Sequence, residues 1–208
     1  MEKDEFLTIS APAEGSYKEK GSKFLGFARP AHSEDQVKEH LQELKSQYHD
    51  ARHHCYAYRL GPDMELYRMN DDGEPSSTAG KPIYGQIISH NLTNVLVVVV
   101  RYFGGTLLGT SGLIRAYKTA AATTLDHARI ITQRVHSLYR LEFNYDKINQ
   151  VMRILDEHQI PPEKREFTEI CRFTLALRQS RQEQLSELFQ TIPEIRLKPL
   201  DQSIIRNV

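Results

Sequence analysis

In a chain of 208 residues, 27 basic and 27 acidic side chains cancel, so no bulk positive field draws it onto nucleic acid, and any such contact has to use a local patch. A hydrophobic share of 39% and a charged share of 26% are ordinary for folded proteins and argue against disorder; the length suits one large domain or two compact ones. Two cysteines, Cys55 and Cys171, lie far apart without C-x-x-C spacing, which excludes a disulfide framework and a zinc ribbon and fits a reducing, cytoplasmic compartment.

The opening MEKDEFLTIS holds no apolar stretch long enough for a signal peptide, and the longest apolar run, Leu96 to Val100, is far too short to span a membrane. No membrane contact is expected. Tyr17 to Pro30 reads as a hairpin turning at Gly21-Ser22. Ser33 opens a helix with Gln36 as capping-box partner, and Val37, Leu41, Leu44 and Tyr48 mark its buried stripe. His53 to Leu60 reads as a strand, with Met64 to Met69 as a short partner reached through Gly61-Pro62. Asn70 to Pro82 is a loop, and Pro82 suits the first turn of a helix running to about His90. Val95 to Phe103 is nearly all β-branched and apolar, as a central strand covered on both faces should be. A long helix follows GGTLLGTSG, with Leu113, Tyr117, Ala120, Ala121 and Thr124 on one face, and Ala128 to Val135 can add a last strand.

The second half repeats no earlier segment. Ser137 to Asn144 is a strand, Asp146 is expected to cap a helix with Ile148, Val151, Met152 and Leu155 inward, and Pro161-Pro162 ends it. A hairpin of Lys164–Thr168 and Ile170–Arg178 follows. Ser180 with Glu183 makes a second capping box before Leu185, Leu188 and Phe189, and Ile195 to Leu200 closes the set. The order βαββαβ is that of a ferredoxin-like sandwich. The fold class is therefore α+β, with domains over 1–135 and 136–208 divided near His136.

Four features could carry function. In strand–RYFGGTLLGTSGL–helix, a glycine-rich turn leaves backbone N–H groups free to hold an anion, or the glycines only permit a tight turn and close packing. Thr110 and Ser111 could cap that helix or add hydroxyl donors. The loop is neither a Walker A motif nor a dinucleotide fingerprint, since its glycines fall at 104, 105, 109 and 112. Asp71-Asp72-Gly73-Glu74 could hold Mg²⁺ beside substrate phosphates, though carboxylates bonded to loop amides are the better reading. On the strand through Arg52-His53-His54-Cys55, His53 and Cys55 share a face, and a packed strand with one exposed histidine is favoured over a nucleophile and base. In the second half, alternation places Arg140, Arg172, Arg178, Arg196 and Lys198 on one open sheet face, a local basic patch without stacking aromatics, suited to phosphate or protein contact.

DDGEPSSTAGKP followed by VVVRYFGGTLLGTSGLIRAY, with ARHHCYAY upstream, resembles the YigZ/IMPACT family over nearly the whole chain. That resemblance implies a first domain like the second domain of ribosomal small-subunit protein five and a second domain like the ferredoxin-like domains of elongation factor G. It also implies eukaryotic relatives that regulate translation with the help of an RWD domain, which is not expected in this sequence. The motif surface carried over is His53, His54, Asp71, Asp72, Glu74, Pro75, Thr78, Lys81, Arg101, Gly104, Gly105 and Gly109. The expectation is a translation-associated protein binding the ribosome, RNA or a translation factor, with no cofactor, no metal and no catalytic residue assigned. The alternative is a phosphate-ligand enzyme of the small-molecule kinase type, using the glycine and acidic loops. Either way, Asp71, Asp72 and Glu74 are expected to face Arg101 and the amides after Gly104 across one concave patch.

Overall fold

The computed structural model describes residues 4–178, 181, 187–189, 192 and 194–208. In chain order the strands and helices begin with β1 (Glu5–Ile9), the hairpin β2 (Ala13–Glu19) and β3 (Ser22–Pro30), and α1 (Glu34–Gln47). They continue with β4 (His53–Leu60), β5 (Leu66–Asn70), α2 (Gly80–Ser89), β6 (Val95–Tyr102) and α3 (Gly109–Asp126). Then follow β7 (Ile130–Asn144), α4 (Ile148–Glu157), β8 (Lys164–Glu166), β9 (Ile170–Arg178) and β10 (Arg196–Asn207). Contacts divide the chain into two compact units, one of residues Phe6–Thr132 and one of Met1–Glu5 with Gln133–Val208.

The larger unit is a fully antiparallel sheet in the order β2-β3-β6-β4-β5. Because side chains alternate along a strand, β6 sends Val95, Val97 and Val99 into one core with α2 and α3, and Leu96, Val98 and Val100 into a second core with α1. All six are fully buried, as the uninterrupted apolar run requires. The hairpin turns at Lys20-Gly21, one residue earlier than expected, since Glu19 pairs with Ser22. Both turn residues take positive φ, 44° and 80°, the conformation of a two-residue hairpin matched to strand twist. Ser33 Oγ accepts the Gln36 N–H as expected, while the Gln36 side chain reaches one residue further back, accepting the His32 N–H at 2.7 Å.

The smaller unit is a sheet in which β7 lies between β9 and β10, with β8 outside β9. Tyr139, Leu141, Phe143, Phe173, Leu175 and Leu177 form its core with α4 and Phe189. Three expectations are corrected here. The two strands expected over Ala128–Val135 and Ser137–Asn144 are one 15-residue strand, because pairing to β10 and β9 continues through His136 and Ser137. Asp146 does not cap α4; it sits inside a 3-10 turn, Tyr145–Lys147, that leads into the helix, and its carboxylate pairs with Lys147 instead. The final strand runs on past Leu200 to Asn207 through a register shift between Pro199 and Ser203. The capping box of Ser180 with Glu183, and Leu185, lie outside the described residues.

Helix α3 lies against β2 and β3 closely enough that two glycines are obligatory. A Cβ on Gly26 would stand 2.0 Å from Thr124 Oγ1, and one on Gly15 would meet the Thr124 backbone at 2.8 Å. Thr124 Oγ1 is held there by donating to the Ala120 carbonyl at 2.7 Å. Gly26→Ala should therefore cost about 1–3 kcal/mol by overpacking. Adding Thr124→Ala should return much of that loss in urea midpoints. Equal midpoints for the single and double variants would mean that the clash does not set the cost.

Candidate functional site

The acidic loop wraps the start of β4 and sends its three carboxylates to different places. Asp71 Oδ1 accepts the N–H groups of Ala79 at 2.9 Å and Gly80 at 2.8 Å, and Oδ2 accepts that of Ser77 at 2.8 Å. It thus caps α2 from eight and nine residues away, where Ala79 offers no side-chain acceptor. Asp72 turns toward α1: Oδ2 accepts the His54 N–H at 2.7 Å, and Lys45 Nζ stands 3.8 Å from Oδ1. Glu74 turns to the α3 face, where Oε1 accepts Arg101 Nη1 at 2.6 Å and the Tyr117 hydroxyl at 2.8 Å. Thr78 is buried and donates to the Pro75 carbonyl at 2.6 Å, closing the turn before α2; Lys81 is exposed.

Arg101 lies over both Phe24 and Phe103, its guanidinium carbon 5.5 and 5.7 Å from the ring centres. His53 donates from Nδ1 to the Asp72 carbonyl at 2.8 Å, and its Nε2 faces Glu74 at 4.0 Å. Cys55 is buried and its thiol donates to the Asp71 carbonyl at 2.9 Å. Burial first, with the neighbouring carboxylates adding to it, pushes the thiol far above its ordinary pKa, so it is no nucleophile at neutral pH. His54 is buried on the α1 face, and that burial lowers its pKa against the opposing pull of Asp72.

The glycine loop is built differently from the expectation. Gly104 packs on the β2–β3 turn, where any Cβ would strike the Gly21 carbonyl carbon at 1.9 Å, and its N–H donates to Ser22 Oγ at 3.2 Å. Gly105 and Gly109 take φ of 84° and 69° and face open space. Helix α3 begins at Gly109, so Thr110 and Ser111 fall inside its first turn, exposed, and cap nothing. Phe103 is 51% exposed and Leu107 83%. The single concave patch is therefore only partly assembled. Glu74 meets Arg101, but Asp71 is committed to α2, Asp72 to β4 and α1, and none of the three is bonded to a glycine-loop amide among the described residues. Among the described residues no three His, Cys, Asp or Glu side chains group as metal ligands. Tyr117 and Ser22 were expected only on a helix face and in a turn, and Phe24 was not singled out; a tyrosine on an apolar helix face was the available signal, since its buried hydroxyl needs a partner.

On the sheet of the smaller unit, Glu142 accepts Arg172 Nε at 3.4 Å and Lys198 Nζ at 3.1 Å, which the pull of Lys198 and then Arg172 on its pKa reflects. Arg178 is tied to Asp4 and Glu5. Arg140 and Arg196 are exposed, paired in register with Lys198 and Glu142. The face is thus a mixed-charge lattice with a basic surplus.

The profile of the Impact N-terminal domain matches residues 20–125, which takes in the acidic loop, β6 and the glycine loop. The chain belongs to the IMPACT family. It is 39% identical over 158 residues to an IMPACT family member of Thermus thermophilus, covering 75% of this chain and 84% of that one. It is 30% identical over 168 residues to the IMPACT family member YvyE of Bacillus subtilis, covering 81% and 77%. A crystal structure of a hypothetical protein matches with a TM-score of 0.70 and 25% identity over 96% of this chain and 98% of that one. No helix among the described residues is long and apolar enough to cross a membrane.

Two outcomes follow from this geometry. Arg101→Leu strands the Glu74 charge in a buried site and should cost about 3–5 kcal/mol, much of it recovered by adding Glu74→Gln; stability unchanged by Arg101→Leu would remove the pair from any structural role. His54, and His136 in the other unit, both have pKa values lowered chiefly by burial. The unfolded chain therefore binds more protons below the ordinary histidine pKa of about 6.5, and stability should hold above that pH and decline as pH falls through it. His54→Leu should shrink the decline in thermal melts between neutral and mildly acidic buffer. An identical decline in the variant would exclude His54 as its source.

Proposed function

We propose that this protein is a translation-associated binding protein, acting in the cytoplasm by contact with RNA, the ribosome or a translation factor rather than by turnover. One observation carries the reading. The β2–β3 turn packs against Gly104, so exposed Lys18, Lys20 and Lys23 of that hairpin lie at the same end of the sheet as the exposed Phe103 ring, which is backed by Arg101. Cations at the same end of a sheet as an exposed aromatic ring suit single-stranded RNA, with the lysines on phosphates and a base on the ring. The internal use of Asp71, Asp72 and Glu74 supports the same reading, because it leaves the loop no open carboxylate pair for a metal–phosphate reaction. Membership of the IMPACT family, whose eukaryotic relatives regulate translation, supports a regulatory role. The mixed-charge face around Arg140, Arg172, Arg178, Arg196 and Lys198 is a second contact surface in this reading. The pairing β10-β7-β9-β8, with β1 also on β7, supports a ferredoxin-like smaller unit, which this reading compares with the elongation factor G domains. The larger unit's helices on both sides of one sheet suit the comparison with the second domain of ribosomal small-subunit protein five.

Purified protein should bind a short unstructured RNA in fluorescence anisotropy at low salt and lose it steeply as salt rises. Phe103→Ala should weaken binding by about 1–3 kcal/mol while leaving the salt slope intact. Lys23→Glu should flatten the slope by about one. Absence of RNA affinity at low salt, with no co-sedimentation with ribosomal particles, sinks the reading.

A further inference from the structure

Strand β5 forms one edge of the larger sheet, at the far side from the β2–β3 hairpin. It pairs with β4 alone, and among the described residues no other main-chain hydrogen bond reaches Leu66 to Met69. The strand therefore presents a row of unpaired N–H and C=O groups to solvent. Its side chains are exposed as well. Tyr67 and Met69 lie on the α2 face, where Tyr67 stacks on Tyr84 at 4.9 Å between ring centres and Ile88 is exposed nearby on α2. Leu66 and Arg68 lie on the opposite face, and Arg68 has no ion pair or hydrogen bond among the described residues.

An open edge with large apolar side chains is normally shielded by charge, shortness or a covering element. Here the covering is incomplete and the one central charge is a cation. The geometry points to a protein-docking edge: β5 accepts an extended segment of another protein as an added strand, with apolar residues over Tyr67 and Met69 and an acidic residue opposite Arg68. Main-chain bonding supplies the affinity and the alternate side chains the selectivity. A second copy of this chain is the poorer occupant. A two-fold pairing that engages the whole strand centres on Arg68 and sets it directly opposite itself, where like charges repel.

The surface is independent of the RNA reading, since it lies at the other edge of the sheet and uses none of the hairpin lysines. A labelled short peptide alternating valine and glutamate serves as probe in fluorescence anisotropy, beside versions with lysine for glutamate and with alternate amides N-methylated. The glutamate peptide should bind with a Kd on the order of 10–100 μM, at least tenfold tighter than the N-methylated form, and Arg68→Glu should reverse the preference toward the lysine peptide. Phe103→Ala should leave this binding unchanged while it impairs RNA affinity, so each reading can fail alone. No saturable binding, or binding indifferent to N-methylation, overturns the proposal. So does sedimentation equilibrium showing a dimer that Met69→Lys dissolves, because the edge would then belong to a second copy.

Discussion

Everything in the larger unit is arranged around a strand that cannot touch water. Val95 to Val100 is six apolar residues with no polar interval, and burying each side chain is worth about 1.5–3 kcal/mol over leaving it exposed. No two-layer arrangement satisfies both faces, so β3 and β4 flank the strand in the sheet while α1 closes one side and α2 with α3 the other. The three-layer fold is the cheapest way to hide both rows at once.

That burial has a polar cost, and the site is where it is met. At its C-terminal end β6 turns from valine to Arg101, placing a guanidinium at the edge of the α3 core. Glu74 accepts its Nη1 and also the Tyr117 hydroxyl, and the phenyl rings of Phe24 and Phe103 stand near it. The same Glu74 belongs to a loop whose Asp71 fixes the start of α2. One short acidic segment thus joins a strand end, a helix start and a second helix. Its composition leaves a metal site open beside the favoured loop-amide bonding, while its geometry is that of a structural clasp.

Local grammar was readable from the residues. The bounds of β4, the Ser33 cap and the buried faces of α1 and α3 all follow from periodicity and capping chemistry within one or two turns of chain. What escaped depends on partners distant in sequence. Asp71 does bond loop amides, the favoured reading, but its reach of six to nine residues to the start of α2 was not legible. The β7 strand looked divided at His136 because a histidine and a serine interrupt its apolar pattern, yet its continuity is decided by β9 and β10, arriving some forty to seventy residues later. Asp146 resembled a helix cap, but a 3-10 turn displaced the helix start by one residue. The dispersal of the acidic loop was hidden for the same reason: which side of β4 each carboxylate takes depends on where α1 and α3 dock.

The placement of the two cysteines gives the molecule a built-in pair of reporters. Cys55 is sealed in the core of the larger unit and Cys171 in that of the smaller, with neither thiol reachable while its own sheet stays closed. Alkylation of either sulfur therefore counts openings of one unit only, at a rate set by how often that unit exposes its interior. The two modified sites fall on different stretches of chain and separate cleanly by mass. A single unmutated sample thus carries separate clocks for its two halves, and the ratio of their rates states how far the halves breathe independently.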